Sequence, residues 1–302
     1  LVGSEMCIRD RCYISDSVDK CVLTRMRKLI QSIDVDALTM NIESLAECMF
    51  THKWINPFPK FKYSERPDTA TAAILDGNIV IMVDNSPAVM IIPASIFDII
   101  EEADDFNFSP IIGSYLRITR FFFSIVTWIL TPLWLLFVNN PDWVPEFLKF
   151  ILITDDITVP VLLQLLILEL AVDGLKLAAV NTPTMLSTPL SIVAGIVVGE
   201  YAVSSGWFNP EALLYMAVVT VGTYGQTNFE MGYAFKFLRV LMLILTQIFN
   251  LAGFITGVVI SVLMIAFNRT ITGKSYIYPL IPWDGKMLKR KVFRVRLPHG
   301  YK

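Results

Sequence analysis

Glu169, Asp173 and Lys176 lie in an otherwise apolar stretch, PVLLQLLILELAVDGLKLAAVNTP, from Pro160 to Pro183. On a helix they fall at i, i+4 and i+7 and form one charged stripe, which Val180 continues. Charged side chains at membrane depth are costly and face a bundle interior or a wet cavity. Two chemistries fit. The stripe can line the path of an ion or solute, with Glu169 and Asp173 attracting cations, Lys176 as a tuning counter-charge and Val180 as an apolar constriction. It can instead neutralise itself, with Lys176 pairing to Asp173 or Glu169 within one helix. The first reading is preferred, because ionisable residues inside a membrane segment mark function by default.

Such a helix needs a membrane around it, and the composition supplies the reason to expect one. Of 302 residues, 54% are hydrophobic, and the mean hydropathy is +0.57. That is too apolar for an ordinary soluble domain and indicates a polytopic membrane protein. Residues 1–112 carry net −7, residues 113–268 net −3 and residues 269–302 net +8. An acidic head, an apolar middle and a basic tail imply membrane topology and not nucleic-acid binding. The expected partner of the basic tail is anionic lipid. Cys7, Cys12, Cys21 and Cys48 lack paired C-x-x-C spacing, and His52 and His299 are far apart. Neither a disulfide framework nor a metal site is expected, and no cofactor. Residues 1–12 have no signal-peptide character. They are expected to be a sequencing artefact joined to the C-terminal part of a longer chain.

The head, residues 13–112, reads as an incomplete α/β cytosolic domain. Val22–Ser32 is a short helix with a basic face. Ser44-Leu-Ala-Glu47 has capping-box spacing and starts a second helix. Phe61–Tyr63 is a short strand, and Pro67 suits the first position of a helix. Asn78-IVIMV-Asp84 and Ala88-VMII-Pro93 are two apolar strands around a turn cluster, Asp84-Asn-Ser-Pro87. A lone hairpin is marginal, so strands from a missing portion are expected to complete the sheet. Ser95 caps a following helix through about Asp104, whose acid run Glu101–Asp105 is a solvated face or a dock for a basic partner.

The middle, residues 113–268, reads as an α-helical polytopic membrane domain of about four spans plus a short re-entrant helix. Arg117 and Arg120 precede the span Phe121–Val138, and the acidic loop Asn139–Thr158 follows it. That order puts the head in the cytoplasm. The charged helix comes second. In the third segment, Thr184–Ser204, the small residues Ser187, Ser191, Gly195 and Gly199 form a stripe for close helix packing. Glu200 beside it is a candidate for the mouth of a path. Pro210–Tyr224 is short for a span. Phe237–Phe267 would be roughly 46 Å as a straight helix, longer than a bilayer core. Gly253 and Gly257 in it repeat the small-residue device. The basic tail, residues 269–302, belongs inside. Five segments starting inside would leave it outside, so one must fail to cross; Pro210–Gly225 is the expected exception.

Several short matches together resemble the spore germination receptor A-subunit (GerA) family. They are Glu65-Arg-Pro-Asp68, Asp76-Gly-Asn-Ile-Val-Ile-Met-Val-Asp84, Ser86-Pro-Ala-Val-Met-Ile-Ile-Pro93, Ile112-Gly-Ser-Tyr-Leu-Arg117, Pro132-Leu-Trp-Leu135, Asn181-Thr-Pro183, Val198-Gly-Glu200 and Tyr278-Pro-Leu-Ile-Pro282. The likeness covers residues 20–298. Glu102-Ala-Asp-Asp105 and Val221-Gly-Thr…Glu230-Met are closer to the family's stage V sporulation branch than to its nutrient-sensing subunits. A departure falls at Gln226-Thr227, where the family has a proline. The resemblance implies an endospore inner-membrane protein with a cytosolic N-terminal domain. It also implies a homo-oligomeric ion channel that acts with other germination membrane proteins.

The function expected from these readings is a channel subunit, several copies contributing the charged helix to a shared axis. A secondary transporter using Asp173 as a coupling-ion site is the alternative, although no inverted repeat is found. A non-conducting scaffold for other germination proteins is the third reading. The chain has no nucleophile–base set, P-loop or HExxH motif, so an enzyme is not expected.

Overall fold

The computed structural model describes residues 9–33, 41–49, 56–84, 86–106, 108–154, 158–181, 193, 195–271, 273 and 275–294. Its elements in chain order are β1 (Arg9–Cys12), α1 (Lys20–Gln31), α2 (Asn41–Met49), β2 (Lys62–Ser64), α3 (Pro67–Leu75), β3 (Ile79–Val83), β4 (Val89–Ile92) and α4 (Ile96–Ile100). They continue with α5 (Pro110–Asn139), α6 (Val161–Asn181), α7 (Pro210–Tyr224), α8 (Phe229–Ala266) and α9 (Gly285–Val292). Before α7, a π-helical turn covers Ile196–Tyr201. The chain forms two compact units: Leu1–Arg120 with Thr227–Met231 and Val262–Lys302, and Phe121–Gln226 with Gly232–Ser261. Among the described residues, two helices, α5 and α8, are long and apolar enough to cross a membrane by length and composition.

The first unit is built on a four-stranded antiparallel sheet in the order β1-β3-β4-β2. The two apolar strands read from the sequence pair as expected, Ile79 opposite Ile92 and Ile81 opposite Met90. Their apolar side chains pack under α1 and α2, with Met26, Leu45, Ile79, Ile81 and Met90 fully buried. Both further strands of the sheet come from this chain. One of them corrects an expectation: Arg9–Cys12, assigned outside the fold, pairs along β3 from Arg9 opposite Val83 to Cys12 opposite Val80. Strand pairing uses main-chain groups, so an extended segment can complete a free edge whatever its side chains. The Ser95 cap is a full capping box with Asp98. Helix α4 nevertheless stops at Ile100, and the acids beyond it continue as a short 3-10 turn, Ala103–Phe106.

In the second unit, α6 and α7 run in the same direction. Gln164 near the start of α6 exchanges hydrogen bonds with Asn209, ahead of α7: Nε2 donates to Oδ1 at 2.7 Å and the Asn209 amide donates to Oε1 at 2.8 Å. Helix α5 runs against α7, with Trp134 on Tyr215 at 4.8 Å between ring centres and Gly222 against Phe123 and Thr127.

Helix α8 is not straight. Asn250 breaks it with φ 52° and ψ −129°, and the two halves fold back on each other. Gly253 sits against the Leu245 carbonyl, and a Cβ on Gly257 would lie 2.7 Å from Met242 Cγ. Residues that far apart on a straight helix are separated by two turns or more, about 12 Å for the first pair. The turn is tied to the end of α5 by a reciprocal amide pair between Asn140 and Asn250, at 2.6 and 2.9 Å. The overshoot in the sequence is therefore a helical hairpin.

Candidate functional site

The expected stripe is real, and its partners are on α8. Glu169, Asp173 and Lys176 face Arg239, Lys236 and Tyr233, which descend α8 in antiparallel register. Arg239 Nε donates to Glu169 Oε1 at 2.5 Å, and its Nη1 donates to the carbonyl of Thr127 on α5. Lys236 donates to the Glu169 carbonyl at 2.9 Å and to the Asp173 carboxylate. Its ammonium also lies 3.5 Å from Glu169 Oε2. Lys176 does not pair within its own helix. It sits over the rings of Tyr224 and Tyr233, 5.1 and 5.7 Å from their centres. Both self-pairing expectations for Lys176 are replaced by this cation–π seat.

The ladder is graded in burial. Glu169 and Arg239 are 4% and 3% exposed, whereas the Asp173 side chain keeps 23% of its surface. Asp173 Oδ1 makes no hydrogen bond. Burying a charge is tolerable only beside a partner with good geometry, which the Glu169–Arg239–Thr127 junction provides. The cluster holds two acids and three bases, so the acidic stripe legible on α6 alone is compensated in three dimensions.

The remaining expected residues scatter. Val180 lies in the last turn of α6, with its side chain outside the described part, and Ser187 and Ser191 are outside it altogether. A Cβ added to Gly195 or Gly199 would meet nothing within 4 Å, so this pair packs against nothing else described in the chain. Glu200 is exposed on the π-helical turn. Gly253 and Gly257 lie at the closest approach of the α8 hairpin. The sequence reading passed over Lys236, Arg239, Thr127 and the two tyrosines. The signal was there: two basic residues three positions apart inside an apolar run, opposite in sign to the acids on α6.

A second charged centre lies in the first unit. Arg117 bonds Glu101 at 2.5 Å and Asp105 at 3.2 Å, and Arg120 bonds Asp105 at 2.6 Å. Lys291 of α9 reaches Asp98 at 2.5 Å and Glu101 at 3.1 Å. The acid run Glu101–Asp105 is thus not a bare solvated face; its bases come from this chain, from α5, the tail and Arg66 ahead of α3. Burial lowers Lys291, but Asp98 and Glu101 overcome it and hold the ammonium well above its ordinary value. Burial raises Asp98, yet Lys291 and the bonds from Ser95 keep the carboxyl below its ordinary value. A cleft of about 980 Å3 opens beside this centre, with Asp76, Ser95, Tyr278 and Arg290 in its wall.

A family model described as Bacillus/Clostridium GerA spore germination protein matches residues 6–302. The chain belongs to this GerA family. It is 35% identical over 287 residues to stage V sporulation protein AF of Bacillus subtilis, covering 95% of this chain and 58% of that protein. It is 26% identical to spore germination protein KA of the same organism, covering 94% of this chain and 52% of that protein. It is also 26% identical to the uncharacterized membrane protein YfkQ of B. subtilis, over 83% of this chain and 49% of that protein. The chain thus spans about half to three-fifths of the length of these relatives. No solved structure matches.

Proposed function

We propose that this chain is a multi-pass membrane subunit that acts in endospore germination at the spore inner membrane, and that copies of it associate to conduct cations along the exposed edge of α6. The germination role rests on family membership and on relatives named as germination and sporulation proteins. Head and tail are cytosolic in this reading, with residues 13–112 as the head, 113–268 as the membrane part and 269–302 as the tail. The fold-back at Asn250 supports an even number of crossings: α8 counts twice, and the basic tail returns inside without exempting Pro210–Tyr224. Other germination membrane proteins are the expected partners.

The observation that carries the conduction reading is Asp173. It is the acid of the stripe whose side chain keeps exposed surface; one oxygen is paired with Lys236 and the other is buried without a hydrogen bond, while Glu169 is locked to Arg239. A fixed charge in a narrow, weakly screened space raises the local counter-ion concentration. Asp173→Asn should lower cation selectivity with assembly intact, and Asp173→Lys should shift preference toward anions. Reversal potentials under a salt gradient, on reconstituted protein that passes an assembly check, read both. Unchanged potentials in the two variants would remove α6 from the path.

One observation favours a second reading. Each carboxylate of the stripe already has a cation of its own chain, an arrangement that staples α6 to α8 and that conduction does not need. A non-conducting scaffold for other germination proteins would show this ladder and no current. The same recordings separate the two.

A further inference from the structure

The tail was expected to spread its basic residues over anionic lipid. The structure divides them by face. Lys291 points into the Asp98 and Glu101 carboxylates, and Arg117 donates to the Arg290 and Lys291 carbonyls at 3.1 and 3.4 Å. The Arg294 amide donates to Ser114 Oγ at 3.0 Å. Upstream, Tyr276 is fully buried and its carbonyl accepts from the Ile96 amide at 3.0 Å. Asp284 caps α9 by accepting from the Lys286 and Met287 amides at 3.1 and 3.0 Å. So the tail is held by its inner face, and its outer face is presented in a fixed geometry.

That outer face has a distinct chemistry. Ile281 and Trp283 are 57% and 72% exposed, and Lys286 and Lys289, which follow them in the chain on the first turns of α9, are exposed as well. A large aromatic and an aliphatic side chain in water are unfavourable unless something covers them. Tryptophan settles at membrane–water interfaces, and lysines there attract anionic headgroups. The patch also follows the apolar second half of the α8 hairpin, with only the connection 267–279 between. We propose that Ile281, Trp283, Lys286 and Lys289 form a seat for an anionic bilayer surface: Ile281 and Trp283 enter the interface and the two lysines meet the headgroup phosphates. This rests on the membrane reading above.

The test uses the full chain in lipid nanodiscs, with Cys7, Cys12, Cys21 and Cys48 replaced by serine. A fluorophore on Ile281→Cys is read against quenchers carried on the lipid chains, in phosphatidylcholine discs and in discs containing phosphatidylglycerol. The expected result is quenching that strengthens severalfold with the anionic lipid. The double variant K286Q/K289Q, at two exposed positions, should abolish that increment. A second label on Ile260→Cys in α8 reports the membrane reading itself. Quenching at 260 without quenching at 281 would overturn the seat alone, and absence at both would overturn the membrane placement with it. A signal at 281 that ignores lipid charge, or an increment that survives the double variant, would also overturn the seat.

Discussion

Lys291 shows what a single residue contributes that the sequence cannot display. In the sequence it is one member of a basic cluster; in the structure it is the cation shared by two carboxylates of the head. Replacing it with methionine leaves Asp98 and Glu101 without their ammonium. Loss of one partner of a buried pair costs several kcal/mol, and with 20% of the lysine side chain exposed the expected loss here is about 2 kcal/mol. The pH dependence follows from the two directions. Asp98 is depressed below its ordinary 3.8, so its contribution is whole above that value and drains as pH falls through its folded value. Lys291 is raised above its ordinary 10.5, so its contribution is whole below that value and is lost only in stronger base. Amide exchange of α9 should therefore be well protected at neutral pH in the parent, lose protection as pH falls below the ordinary carboxylate range, and be poorly protected already at neutral pH in Lys291→Met. Equal protection of α9 in parent and variant at neutral pH would count against the docked tail. The α6 stripe was legible because its period is local. Its partners were not, because Arg239 lies 70 positions from Glu169 and no local pattern couples them.

At the scale of elements, periodicity and capping located the local structure well. The strands Ile79–Val83 and Val89–Ile92, the Pro67 helix, the Ser95 cap and the short Pro210–Tyr224 helix all follow from apolar runs and turn residues. What local pattern could not reveal was where a long apolar run turns. Phe237–Phe267 was too long for a bilayer, and the length was the hint. The turn itself is at Asn250, a residue that tolerates positive φ better than most. The glycines read as generic packing residues are what lets the two halves of α8 close. Gly257→Leu would push a branched side chain into Met242, and neither half can retreat without opening the hairpin. Overpacking of this kind costs about 1–3 kcal/mol or more, so the variant should unfold at lower temperature. Gly195→Leu should be neutral for the isolated chain, because nothing described lies within 4 Å of that position. If both variants melt alike in detergent, the hairpin contact is not what holds α8 closed.

At the scale of the whole molecule, the charge partition posed a problem that the hairpin would resolve in the proposed topology. Residues 269–302 carry net +8, and the proposed topology puts them on the same side as the head. The first half of α8, from Phe229 to the break, is about 30 Å long, and the second about 24 Å. Each is near a bilayer core in length. The pair between Asn140 and Asn250 sets the hairpin turn level with the end of α5. If α5 carries the chain outward, Leu251 must emerge on the outer side, beside the acidic loop that holds Asp142. Single cysteines at Leu251 and Asp142 should then react with an impermeant maleimide from the same side, and a cysteine at Ser275 from the opposite side. A straight α8 makes a different forecast: Leu251 would lie in the middle of the helix, shielded by lipid, and would label from neither side. Labelling of Leu251 together with Ser275 would reverse the hairpin and with it the even count of crossings. The labelling pattern therefore tests the turn, its depth and the path of the chain through the membrane in one experiment.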